Sequence, residues 1–159
     1  MQEIFIIHII GKTKETYAFS GRLRRRGRMI AENGKVLTFP TFYDAERYAN
    51  THDLPLDYDI AVNYDLNRLT RWLAGREDLT ELEVARFFRL LESASYEIDV
   101  AFSGTVKSSV LEKIYAKLFG GDPNKTGYCR VPEWGEEELA ALKKLVKEYL
   151  DRFVAALGV

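Results

Sequence analysis

The sequence predicts an α+β fold in a single domain over residues 1–159, and three observations carry that reading. Ile4 to Ile10 is almost continuously apolar, rich in β-branched residues and closed by Gly11, as a strand buried on both faces should be. Asn33-Gly34 stands between two strand-like stretches, and both residues tolerate the positive φ of a tight type I′ hairpin turn. From Leu139 to Leu157 apolar residues recur at the helical period without a fault. Strands first and helices later argue for segregated layers. The expectation is a small antiparallel sheet of three to four strands in a strand-rich portion, residues 1–50. Four to five helices follow, most of them in a helical portion, residues 65–159, which ends in a long amphipathic helix.

In chain order, Thr16–Ser20 is expected to pair with Ile4–Ile10 through the Gly11–Glu15 loop. Met29–Glu32 and Lys35–Phe39 are the arms of the Asn-Gly hairpin, and Pro40 ends the second arm. Thr41 or Asp44 can cap a helix whose apolar residues are Phe42, Ala45, Tyr48 and Ala49. Leu56–Tyr64 alternates apolar and polar residues and suits an edge strand. Asp65 caps a short helix, Leu66–Ala74, stopped by Gly75. Thr80-Glu-Leu-Glu83 is a capping box ahead of a helix with Val84, Phe87, Phe88, Leu91 and Ala94 inward. Ser109–Glu112 repeats that pattern before Leu111, Ile114, Tyr115 and Leu118, and Gly120-Gly121 ends the run. Asp122–Pro132 reads as irregular. The last helix is expected to start near Trp134 and Gly135, with Glu136, Glu137 and Glu138 complementing the dipole in its first turn.

The bulk composition narrows the class. At 159 residues, 47% hydrophobic and 30% charged, the chain can bury a sizeable core without a staple. Cys129 is the single cysteine, so no internal disulfide forms, which suits a reducing compartment. The start Met-Gln-Glu has no basic leader, and Ile4–Ile10 is too short for a span and is interrupted by His8. The expectation is a cytoplasmic protein with no membrane contact.

Net charge is −1, unevenly distributed. Residues 1–40 hold eight Lys/Arg against three Asp/Glu, and residues 41–106 hold six against thirteen. The basic excess concentrates in Arg22, Arg24, Arg25, Arg26 and Arg28. If that segment is extended, the even-numbered arginines share one face. Planar guanidinium forks match phosphates and carboxylates, and a basic β-ribbon can enter a nucleic-acid groove. The same residues could instead guard a hairpin edge against self-pairing, or pair with the chain's own acidic middle. Within that middle, Asp57, Asp59 and Asp65 form a candidate acidic patch for a basic partner. With Asn63 and Asn67 they evoke calcium, but neither register has the glycine at loop position six and the glutamate at twelve.

Catalytic arrangements are thin, and no catalytic residue is assigned. His8 and His52 are the only histidines. His8, among isoleucines, reads as a packed, hydrogen-bonded residue, and His52 as a helix C-terminal group. Arg130 beside Cys129 could activate the thiol, but one neighbour does not make a site. Gly120 to Thr126 lacks the glycine that a phosphate loop places before its lysine. Three Cys and His in total cannot supply a four-ligand zinc site of the usual kind. Neither a metal nor a cofactor is expected. Tyr17, Phe39, Tyr43 and Tyr128 are the aromatics least certain to be core; standing beside the arginines, they would suggest stacking.

The function expected is that of a non-catalytic binding protein engaging a protein partner through charged surface. Inhibitor and immunity-type proteins share this size and composition, an analogy and no more. Nucleic-acid binding through the arginine segment is the alternative. An enzyme with a carboxylate-based site is the second alternative.

Overall fold

The structure, a computed structural model, describes residues 3–23, 26–98 and 134–159. It is an α+β fold, as expected, with four helices among the described residues. Strands β1 (Glu3–Ile10) and β2 (Glu15–Leu23) pair antiparallel over their length, from Glu3↔Arg22 to Ile10↔Glu15. Gly11 N–H donates to the Lys14 carbonyl at 2.9 Å across the turn that joins them. Along the outer edge of β2 lie two strands in succession. β3 (Arg26–Met29) pairs the far half of β2, and β6 (Thr38–Phe39) pairs Tyr17 and Ala18. Between them the chain makes a hairpin of β4 (Ala31–Glu32) and β5 (Lys35–Val36). Asn33 at φ 53° and Gly34 at φ 74° supply the two left-handed residues foreseen for its turn.

The sheet is mixed rather than purely antiparallel. β7 (Val62–Asp65) pairs parallel to β1, Ile7↔Val62 to Ile10↔Asp65. The reason is topological: β6 and β7 run in the same direction on opposite edges, so the chain must cross the sheet, and a helix makes that crossing. This is α1 (Phe42–Thr51), capped by the Thr41 hydroxyl, which accepts from Asp44 N–H at 3.2 Å. The edge strand expected over Leu56–Tyr64 is present but interrupted. Leu56 bridges to Ile4, Asp57 N–H donates to the Ile4 carbonyl at 2.7 Å, and pairing resumes only at Val62. The Asp57 carboxylate, accepting from Asp59 N–H at 2.9 Å, turns the chain out between them.

Both faces of β1 are covered, as its unbroken apolar run requires. Ile4 and Ile6 pack with Phe19 under Ala45 and Ala49 of α1. Phe5, Ile7 and Ile9 face the larger core, with Ala18 and Met29, built by the remaining helices. These are α2 (Leu66–Leu73), α3 (Glu81–Ile98) and α4 (Glu136–Leu157). Asp65 caps α2, accepting from Asn67 N–H at 3.0 Å. Thr80 and Glu83 close the capping box of α3 with bonds of 2.9 and 3.2 Å. The inward faces of α3 and α4 include the expected stripes, with Ala85, Leu90 and Leu145 added and Leu139 only partly buried. The capping box at Ser109, the helix behind it, Gly120-Gly121 and the stretch Asp122–Pro132 with Tyr128 and Cys129 lie outside the described residues.

Candidate functional site

The β-pairing fixes where the arginine segment sits. Leu23 stands opposite Arg26, Arg22 opposite Gly27, and Gly21 opposite Arg28. The segment therefore includes the paired ends of β2 and β3 on the edge of the sheet, and Arg24 and Arg25 lie outside the described residues. This register corrects the expectation that the even-numbered arginines share a face. In this register an even position on one arm stands opposite an odd position on the other. Arg26 and Arg28 thus take the register parity of Phe19, while Arg22 takes that of Ala18 and Met29. Glu3 stands opposite Arg22 in the β1–β2 pairing.

The three aspartates do not gather into one patch. Asp57 and Asp59 lie beside Ile4, at the same end of the sheet as the arginine hairpin but across β1 and β2 from it. Asp65 pairs with Ile10 at the opposite end, about 20 Å away along β1. Asp57 and Asp65 each bond a backbone N–H two residues on. Two further carboxylates of the middle, Glu77 and Glu83, are paired with arginines nearby. Arg68 bridges Glu77 at 3.0 Å and Glu83 at 2.9 Å, and Arg71 takes the other Glu77 oxygen at 2.8 Å. Hydrogen bonds from Arg71 and Arg68 hold the Glu77 carboxyl below the usual range. For Glu83, burial pushes upward, but Arg68 and the Thr80 backbone together leave it lowered.

A folded-state pKa below the unfolded value adds stability above that unfolded value, near 4.3 for glutamate, and the gain is lost as pH falls through the folded value. Thermal melts taken from about pH 6 down to about pH 3 should therefore show a smaller acid loss for Glu83→Gln than for the unmodified chain. Parallel curves would refute this account of the network.

His8 lies on the α1 side of the sheet, beyond the part that α1 covers. Its ring stacks on Tyr17, centroids 4.6 Å apart and 6° from parallel. Nε2 meets a Glu15 carboxylate oxygen at 2.9 Å and Nδ1 meets the Asn63 side-chain oxygen at 3.3 Å. Both nitrogens are engaged, by Glu15 of β2 and Asn63 of β7, so the group links three strands. His52 stacks on Tyr48 at 3.9 Å and bonds its carbonyl at 2.9 Å, closing α1. Among the described residues no three His, Cys, Asp or Glu side chains converge as metal ligands, and no helix is long and apolar enough to cross a membrane.

Tyr17 and Phe39 do not stand beside the arginine hairpin. Tyr17 pairs with His8 and Phe39, five positions along β2 from Arg22, about 17 Å. What periodicity did not reveal is a group of exposed aromatics around α1. Phe42, expected on the inner face, is 39% exposed; Tyr43 is 74% and Tyr58 60% exposed. The Tyr58 hydroxyl donates to Glu46 at 3.0 Å, and that bond, ahead of burial, raises the tyrosine pKa. The hint available in the sequence was Tyr43, outside the apolar stripe of its helix.

No family model matches the chain, and no curated protein does. A solved structure described as the SatS C-terminal domain in complex with bromine is similar at 16% identity and a TM-score of 0.48. The similarity covers 97% of this chain and 91% of that one.

Proposed function

We propose that this chain is a non-catalytic cytoplasmic binding protein that engages an acidic surface of a protein partner through the arginine hairpin. One observation carries the reading. Five arginines fall within residues 22–28, and the described part of that segment lies on the β2–β3 pair at the edge of the sheet. Guanidinium groups on such an edge suit bidentate capture of carboxylates.

The test is fluorescence anisotropy with a labelled polyglutamate peptide and a labelled duplex oligonucleotide, over a range of salt. The peptide should bind, and Arg24→Ala, Arg25→Ala and Arg26→Ala together should weaken it by up to about a hundredfold, since solvent-exposed ion pairs contribute about 0.2–1 kcal/mol each. A preference for the oligonucleotide, with log K falling against log salt at a slope of about −3 to −4, would transfer the reading to nucleic acid. Failure to bind either probe at low salt would end it.

A further inference from the structure

α1 turns Ala45 and Ala49 onto the sheet and an opposite arc outward, where Tyr43, Glu46, Arg47, Asn50 and Thr51 line a shallow depression. The Leu56–Ile60 turn is drawn against this arc by the Tyr58–Glu46 hydrogen bond. Single exposed apolar residues are ordinary. Here, however, the large hydrophobic side chains exposed among the described residues, Phe42, Tyr43 and Tyr58, all belong to α1 and the adjoining turn. The charge is equally one-sided. Residues 42–61 contain Asp44, Glu46, Asp53, Asp57 and Asp59, with Arg47 as the only Lys or Arg.

We propose that this face docks a basic segment of another protein, its Arg or Lys side chains lying against Glu46 and the Asp57–Asp59 turn and across the rings of Tyr43 and Tyr58. Guanidinium and ammonium groups are attracted to aromatic faces and to carboxylates alike. A nucleic acid would meet like charge here. So would a second copy, because a two-fold contact sets the same acidic surface against itself. The face lies on α1 and on the β7 side of β1, across the sheet from the arginine hairpin, and the proposal stands whether or not the hairpin binds anything.

The probe is a short labelled peptide of alternating Arg and Ala, with a Glu–Ala peptide as its control. The Arg–Ala peptide alone should bind. Tyr43→Ala with Tyr58→Ala should weaken it about tenfold, and Tyr43→Phe, which keeps the ring and leaves the Tyr58–Glu46 bond in place, should cost little. Glu136→Gln with Glu137→Gln removes two exposed carboxylates at the start of α4 and should change affinity by less than about twofold. The proposal is overturned if the tyrosine pair leaves binding unchanged, or if the α4 pair weakens it as much, since the peptide would then be responding to net charge alone. It is also overturned if sedimentation finds a dimer that the tyrosine pair abolishes, because the occupant would then be a second copy.

Discussion

Phe88→Ala should destabilise the fold by about 3–5 kcal/mol, the range for emptying a buried phenylalanine site. Phe88 is 1% exposed in the larger core and meets Tyr149 of α4 edge-on, with centroids 5.9 Å apart and planes at 88°. The substitution removes the ring from the joint between α3 and α4, where neighbouring side chains are held by both helices and can only partly close the space. Against a total stability of about 5–15 kcal/mol such a loss is severe. Urea unfolding should show a lower midpoint with an unchanged slope, as expected when the native packing is weakened and the exposed surface is not. Tyr43→Ala, on the exposed arc of α1, is the control and should shift stability by no more than about 0.5 kcal/mol. A Phe88→Ala midpoint near that of the control would refute the placement of α3 against α4.

Gly11→Ala should cost about 1–3 kcal/mol, the range for overpacking a filled site. An added Cβ would lie 2.7 Å from both the carbonyl carbon and the Cβ of Val159, and 3.0 Å from the Lys14 carbonyl oxygen. Those neighbours are mostly backbone, and Val159 is itself buried, so no flexible side chain can swing aside. At about 2–4 °C per kcal/mol for a chain of this size, the melting temperature should fall by about 2–12 °C. Gly34 makes the contrast. Nothing lies within 4 Å of its added Cβ, and its need is for φ +74°. Asparagine, which visits left-handed backbone, should be tolerated at Gly34 but not at Gly11. Equal tolerance at both positions would mean that the contact with Val159 imposes no constraint.

The candidate sites were legible in unequal degree. The arginines are conspicuous in the sequence because composition alone marks five of one type in seven positions. That Arg22 and Arg28 fall on different register parities was not legible, because it depends on how β2 and β3 pair. Asp57, Asp59 and Asp65 look contiguous along the chain. They separate because the chain runs lengthwise along β1 and leaves it between Leu56 and Val62. The exposed face of α1 was hidden for a different reason. Helical periodicity finds the side that is buried, and only the seating of the Tyr58 turn on Glu46 joins two distant stretches into one surface.

The local elements follow from the sequence by itself, since each depends on neighbours only a few residues away. The left-handed pair Asn33-Gly34, the caps at Thr41 and Asp65, the capping box at Thr80 and Glu83 and the inward stripe of α4 are all of that kind. The long-range arrangement was decided only in three dimensions. β7 joins β1 in parallel because α1 carries the chain across the sheet. The two aromatic neighbourhoods, His8 on Tyr17 and Tyr43 near Tyr58, form where separate strands and helices meet. Turn and cap chemistry acts over a few bonds, whereas the parallel pairing and the charged surfaces depend on residues tens of positions apart, brought together by burial of two apolar faces of one strand.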